Sequence, residues 1–217
     1  MLALMNKIHH TLNTTRVADF LAPLALRLFL APVMISAGYN KAMSFESTVA
    51  WFGNPDWGLG LPFPALLAFL ATATELVGGV LLLIGLFTRY VSIPLMFTMI
   101  VAMATVHWPH GWFAIAPANP ATSTALPLAK LGIPAAHASL ENSEEVGKRL
   151  SRAKEILREN GNYAWLTEKG GLVILNNGIE FAMTYFIMLL VLFFQGAGRF
   201  LSVDYWIERR LAPGANV

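Results

Sequence analysis

The chain contains no cysteine and few charged residues. Its 217 residues include 15 Lys and Arg and 13 Asp and Glu, so that only 13% are charged. The absence of thiols excludes disulfides, thiolate-bound metals, iron–sulfur clusters and thiol catalysis. The formal net charge of +2 is too even a balance to provide a basic face for nucleic acid. Redox chemistry in this chain would require a bound cofactor, and nucleic acid is not an expected partner.

Hydrophobic residues, in contrast, make up 56% of the chain. They are concentrated in four long blocks at residues 20–39, 65–87, 90–108 and 172–195. A helix of about 20 apolar residues is long enough to cross the hydrocarbon core of a bilayer. The sequence therefore predicts an all-α protein, an integral membrane four-helix bundle in contact with the lipid bilayer. Gly78 and Gly79 in the second block predict a close contact with a neighbouring helix.

The distribution of basic residues predicts the orientation of the bundle. Lys and Arg are enriched in the cytoplasmic loops and ends of membrane proteins. Placing both termini in the cytoplasm leaves only Lys41 in the first outer loop and gives the inner side six basic residues. These are Lys7, Arg16, Arg89, Arg199, Arg209 and Arg210. We expect both termini to be cytoplasmic and residues 1–16 not to be a cleaved signal peptide.

The long segment between the third and fourth blocks is predicted to be extracytoplasmic. Proline interrupts residues 109–134, which are predicted to form an extended connector. From Ser139 or Ser143 to Asn160 the pattern is that of an amphipathic helix with a Ser N-cap, ended by Gly161. We expect this helix to cap the bundle or to dock a partner.

The predicted organisation has three parts. Residues 1–108 form the N-terminal tail and transmembrane helices one to three. Residues 109–171 form the extracytoplasmic loop, with its helix near 139–160, and residues 172–217 form the fourth helix and a cytoplasmic tail.

Three of the apolar blocks carry an acidic or basic residue at membrane depth, namely Arg27, Glu75 and Glu180. Such residues are costly in a bilayer and usually mark a functional interior. Depth predicts that Arg27 pairs with Glu75 and that Lys41 or His107 lies near Glu180. Together the five residues could form a ladder for protons or bind the carbonyl oxygens of a quinone. The alternative is a set of separate charges that only fix helix packing.

The outer end of the third block is rich in aromatic and imidazole side chains, beginning with His107 and Trp108. A flat redox ring could lie between them, so these two residues and Lys41 are candidates for cofactor binding. The alternative interpretation is an aromatic belt at the membrane interface.

Metal cofactors are less well supported by the pattern. Met96, Met99, Met103 and His107 recur at helical spacing and could bind Cu(I). A methionine stripe is more often core packing, so copper is not expected. Haem is not expected because no second histidine lies at membrane depth. Zinc is not expected either, because the chain has no zincin pattern.

Several short motifs occur in a characteristic order relative to the four blocks. They are Leu26-Arg27-Leu28, Gly38-Tyr39-Asn40-Lys41, Glu75-Leu76-Val77-Gly78-Gly79, Gly85-Leu86-Phe87-Thr88-Arg89, Glu180, and Gly196-Ala197-Gly198-Arg199 with Ser202 and Asp204. As a set they resemble the DoxX family of bacterial inner-membrane proteins, which is related to the membrane part of thiosulfate:quinone oxidoreductase. The resemblance implies a location in the bacterial inner (cytoplasmic) membrane and a redox or quinone-linked role.

The sequence thus predicts a quinone-associated subunit of a membrane oxidoreductase. In this hypothesis Glu75 and Glu180 handle protons, while Arg27 and Lys41 stabilise the negative charge of the reduced quinone. The alternative is a non-catalytic membrane partner that anchors a periplasmic enzyme, peptide or metal carrier, or helps to export it. A third hypothesis is a proton-coupled transporter, which would need a homo-oligomer to enclose a path.

Overall fold

The computed structural model describes residues 1–211, apart from the side chains of residues 2 and 3. The end of the predicted cytoplasmic tail, residues 212–217, lies outside the described residues. The chain forms two compact units. The first contains Met1–Ala102 and the described residues from Ala182 onward, and the second contains Met103–Phe181.

Helices dominate the described part of the chain. They are α1 (Leu2–Thr14), α2 (Leu21–Met43), α3 (Phe45–Gly53), α4 (Pro64–Ile84), α5 (Thr88–Ala102), α6 (Ala125–Lys130), α7 (Pro134–Asn160), α8 (Tyr163–Thr167), α9 (Glu180–Gln195) and α10 (Val203–Leu211). This architecture confirms the predicted all-α fold.

Three helical segments in residues 1–211 are long and apolar enough to cross a membrane. They are α2, α4 and the continuous stretch Thr88–His110, in which α5 passes into a π-helical turn at Met103–His107. The fourth apolar helix, α9, has 16 residues. At 1.5 Å per residue it is about 24 Å long, shorter than a typical hydrocarbon core.

The predicted start of the fourth helix at residue 172 is wrong, because α9 begins at Glu180. The residues before α9 are extended and pair with the backbone of residues 111–116. Ile115 and Leu175 form an antiparallel bridge, and the backbone N–H groups of Asn176 and Asn177 both donate to the carbonyl oxygen of Ala114. The backbone of this stretch therefore finds its hydrogen-bond partners outside a helix.

The core of the first unit is formed by α2, α4, α5 and α9. Its buried members are Leu30, Ala31, Met34, Leu82, Leu95, Met99, Leu189 and Leu192. Four helices around one apolar core agree with the predicted bundle. Met99 belongs to this core and Met96 packs against it, so both residues of the methionine stripe that lie in this unit contribute to packing.

Helices α2 and α4 approach each other closely at two glycines. A Cβ atom on Gly38 would lie 2.5 Å from the backbone nitrogen of Leu76. A Cβ atom on Gly79 would lie 2.7 Å from Cγ1 of Ile35. Small residues allow this approach, which confirms the close contact predicted for Gly79.

Replacing Gly38 by alanine is expected to lower the free energy of unfolding by about 2 kcal/mol, because the new methyl group meets backbone that cannot rotate away. Gly171→Ala is the control, since a Cβ atom there has no neighbour within 4 Å. The measurement is the midpoint of unfolding by SDS in mixed micelles. Equal midpoints for the two variants would show that α2 can move away from α4 without cost.

The second unit is organised around α6 and α7. Ala125, Ala129 and Ala136 form a small buried cluster, against which Phe113 and Leu140 pack. Helix α6 lies in residues 109–134, where the sequence analysis predicted an extended connector. That prediction is wrong for residues 125–130, and the six-residue helix is stabilised by burial of its alanines.

Helix α7 begins five residues before the predicted Ser139. Pro134 occupies its first turn, where the missing N–H costs no hydrogen bond, and no side chain caps it. The predicted Ser N-cap is therefore wrong, whereas the predicted end at Gly161 is confirmed.

The exposed face of α7 carries a cluster of opposite charges. The Nζ atom of Lys148 lies 3.0 Å from Glu144 and 3.1 Å from Glu145. The hydrogen bond to Glu144 raises the pKa of Lys148 most, and the hydrogen bond to Glu145 raises it further. In turn, the hydrogen bond from Lys148 lowers the pKa of Glu145. Such solvated pairs support the helix only weakly.

Candidate functional site

A buried ion pair lies between α2 and α4. The Nζ atom of Lys41 is 2.6 Å from Oε2 of Glu75. The Glu75 side chain is 8% exposed and that of Lys41 is 26% exposed. Glu75 is about 16 Å from the start of α4, which places it near the middle of the span. A carboxylate at this depth requires a partner, and Lys41 provides one.

The packing of the two helices brings this pair together. Gly38 contacts the backbone at Leu76, so the next turn of α2 lies beside the turn of α4 that contains Glu75. Side chains on a helix point toward its N-terminus, which directs Lys41 back into the span. Thr72, one turn before Glu75, donates its hydroxyl to the carbonyl oxygen of Ala68 in its own helix.

The predicted pairing of Arg27 with Glu75 is wrong. Arg27 lies about 21 Å from Lys41 along α2. Its side chain is directed toward the N-terminal end of α2, away from Glu75. Its guanidinium donates to four backbone carbonyl oxygens. The bonds run from Nε to Leu82 at 2.9 Å, from Nη1 to Ala197 at 2.6 Å, and from Nη2 to Leu83 at 3.2 Å and Leu201 at 2.9 Å.

These carbonyl groups lie at the end of α4 and in the segment between α9 and α10. Leu82 and Leu83 are in the last turn of α4, whose final carbonyl groups have no partner within the helix. Ala197 and Leu201 lie in the segment after α9. Arg27 is 1% exposed, so it is a buried cation on α2 that binds the end of α4 and the segment after α9.

Gly85 and Asp204 complete this arrangement, and neither role was predicted from the sequence. Gly85 has φ of +69°, and a Cβ atom there would lie 2.7 Å from Cζ of Arg27. The backbone N–H of Asp204 donates to the Gly85 carbonyl oxygen. The Asp204 carboxylate accepts the N–H groups of Phe87 and Thr88 at 2.7 and 2.9 Å, and so caps the start of α5.

The other predicted site residues lie in the second unit. The carboxylate of Glu180 accepts the backbone N–H of Ala114 at 2.9 Å. Nδ1 of His107 lies 2.7 Å from the carbonyl oxygen of Asn177. Trp108 is 70% exposed. Glu180 and His107 thus hold the segments 111–116 and 172–179 within this unit.

Asn176 has a similar positioning role that the sequence analysis missed. Its side-chain amide donates to the backbone carbonyl oxygens of His110 and Phe113. The signal for it is the dipeptide Asn-Gly at 177–178, which is typical of a turn and argues against a continuous helix there.

Within residues 1–211, no three or more His, Asp or Glu side chains are grouped in a way that could hold a metal ion.

Part of the chain is similar to known proteins. Residues 22–108 match the family model described as DoxX. The chain is 36% identical over 83 residues to "Putative oxidoreductase CatD" of Bacillus subtilis (strain 168), covering 38% of this chain and 58% of the relative. It is 32% identical over 91 residues to "Inner membrane protein YphA" of Escherichia coli (strain K12), covering 40% of this chain and 62% of the relative.

In both cases the chain spans less than two thirds of the relative's own length. No solved structure matches the chain. Arg27, Lys41 and Glu75 all lie within the matched residues, and α2, α4 and the stretch Thr88–His110 together make up most of them. Residues 22–108 of this membrane protein are therefore similar to the DoxX family.

Proposed function

We propose that this protein is a quinone-associated component of a membrane oxidoreductase, and that Lys41 and Glu75 form its proton- and charge-handling site. The observation that carries the proposal is the ion pair itself, buried at mid-span within the residues that match DoxX. The name of the Bacillus relative points in the same direction. We place the protein in the bacterial inner membrane with both termini in the cytoplasm.

The donor set of the pair fits a quinone. Lys41 offers an ammonium group to a carbonyl oxygen, and Glu75 offers a carboxylate that can hold and release a proton at Oε2. The partial exposure of Lys41 gives the pair access from outside the bundle, whereas Glu75 is shielded from water. A bound quinone would supply the electron transfer.

The remaining predicted residues take different roles in this proposal. Arg27 uses four N–H bonds on backbone carbonyl groups, so we assign it to holding the helices together rather than to stabilising quinone charge. Glu180 remains our second candidate for proton handling, and His107 and Trp108 remain candidates for contact with the ring.

Replacing Glu75 by glutamine is expected to reduce quinone turnover by about 100-fold or more, because the amide keeps the size of the side chain but cannot carry the proton. The measurement is the rate of quinone reduction by the detergent-purified protein, followed as a redox difference spectrum. Quinone content is determined by extraction and mass spectrometry. Glu46→Gln is the matched control, since Glu46 is exposed on α3 within the same matched residues.

Two outcomes would contradict this proposal. One is the absence of quinone from wild-type protein that is folded and monodisperse. The other is equal turnover by the Glu75→Gln and Glu46→Gln variants.

The competing function is a non-catalytic membrane partner or anchor for a periplasmic protein. The observation that favours it is the 27-residue helix α7, whose exposed face is charged along most of its length. Absence of quinone from the folded protein would move the assignment to this function, with Lys41 and Glu75 as a structural pair.

A further inference from the structure

Helix α1 presents an apolar face that nothing in the first unit covers. Leu4, Ile8 and Leu12 recur every four residues and therefore lie on one side of the helix. Their exposed fractions are 63%, 51% and 59%. Met5 adjoins the same face, and Asn13 lies on the opposite one. A helix with this division of residues is typical of segments that lie in a membrane interface.

The start of the bundle fixes where this face lies. Residues Thr15–Ala18 follow α1 as a short 3-10 turn, and α2 begins at Leu21. Arg199 holds this junction through a 2.6 Å bond to Asp19 and through the carbonyl oxygens of Arg16 and Val17. Helix α1 therefore ends at the border of the first membrane span, on the side where Arg27 binds the end of α4.

Helix α10 starts from the same end of the bundle. It follows Arg199 by four residues and is attached through the Asp204 carboxylate to the start of α5. Trp206 and Leu211 are 50% and 80% exposed. Arg209 and Arg210 lie in its last turn. This second amphipathic helix combines an interfacial aromatic residue with basic residues, as membrane-surface helices do.

The charges at this end of the bundle favour one kind of partner. Residues 1–20, 85–89 and 196–211 contain six Lys and Arg and three carboxylates. Asp19 already binds Arg199, and Asp204 caps α5. At the other end of α2, residues 40–63 contain a single basic residue, Lys41, which is bonded to Glu75. The exposed apolar faces of α1 and α10 thus lie beside the end that carries the excess of positive charge.

We propose that α1 and α10 form a docking surface for anionic lipid headgroups in the leaflet next to the Arg27 end of the bundle. In this arrangement Leu4, Ile8 and Leu12 insert below the headgroups, while the basic residues bind their phosphate groups. This proposal does not depend on quinone chemistry. The contacts that support it lie at the Arg27 end of the bundle, about 20 Å along α2 from Lys41.

The absence of cysteine permits a direct test on the full-length protein. Single-cysteine variants Ile8→Cys and Asn13→Cys are labelled with an environment-sensitive fluorophore and placed in nanodiscs. One set of discs contains phosphatidylcholine only, and the other also contains phosphatidylglycerol. Quenching by aqueous iodide reports exposure to water, and quenching by doxyl-labelled lipid reports insertion.

In anionic discs we expect the label at position 8 to be quenched by doxyl lipid and to be several-fold less accessible to iodide than the label at position 13. Protection at position 8 should fall in phosphatidylcholine discs, and also in anionic discs when Lys7 and Arg16 are both replaced by Gln. Equal iodide quenching at positions 8 and 13 would overturn the proposal. Equal protection of position 8 in both lipid compositions would also overturn it, because headgroup charge would then have no effect. Protection of position 8 from both iodide and doxyl lipid would overturn it as well, because it would indicate that another protein covers α1.

Discussion

Replacing Arg27 by methionine is expected to lower the free energy of unfolding by at least about 3 kcal/mol, because four carbonyl oxygens lose the guanidinium donor at once and that of Leu82 keeps the backbone N–H of Gly85. Each unsatisfied buried acceptor costs about 1–3 kcal/mol, and water can reach only some of them. The variant should also loosen the segment after α9, since two of the four bonds hold it. The measurement is the SDS-induced unfolding midpoint in mixed micelles.

Two other variants make this result specific. Arg89→Met removes an exposed guanidinium whose Nε donates to the carbonyl oxygen of Phe193, and it should cost about 1 kcal/mol or less. Arg27→Lys should recover only part of the loss, because an ammonium group on a linear chain cannot reach four separated acceptors. Arg27→Met behaving like Arg89→Met would mean that the carbonyl cluster contributes little to stability.

The membrane class of this protein could be predicted from its composition, but the pairing of its charges could not. Hydropathy locates α2 and α4 to within a few residues, because a span must be apolar along its whole length. Hydropathy contains no information on helix rotation or on the direction of a long side chain. Depth alone paired Arg27 with Glu75, whereas the Gly38 contact and the direction of side chains on α2 bring Lys41 to Glu75.

The start of α9 shows a second limit. Leu172–Leu175 is as apolar as the sequence of α9 that follows it. A short apolar run does not distinguish a helix from an extended segment. The extended conformation depends on contacts with residues 110–116, which are distant in sequence. The role of Asp204 is hidden for the same reason, since the helix that it caps begins 116 residues earlier.

Breaking the ion pair from one side is expected to cost more than removing it entirely. Glu75→Leu leaves the ammonium group of Lys41 without a counter-ion and should cost about 2–3 kcal/mol, less than in a fully buried pair because Lys41 is 26% exposed. Lys41→Met leaves the 8% exposed carboxylate and should cost more. The double variant should unfold within about 1 kcal/mol of wild type, because well-packed apolar groups replace buried ion pairs without loss.

The double variant separates the structural role of the pair from its proposed function. If Lys41 and Glu75 handle charge and protons, Lys41→Met with Glu75→Leu should restore the unfolding midpoint but not quinone turnover. Relative to Glu75→Leu alone, stability would then recover while activity stays lost, which a defect in folding cannot produce. Turnover at the wild-type rate in the stable double variant would instead assign the pair to helix packing. In that case the mid-span carboxylate of Glu75 would serve the assembly of α2 with α4.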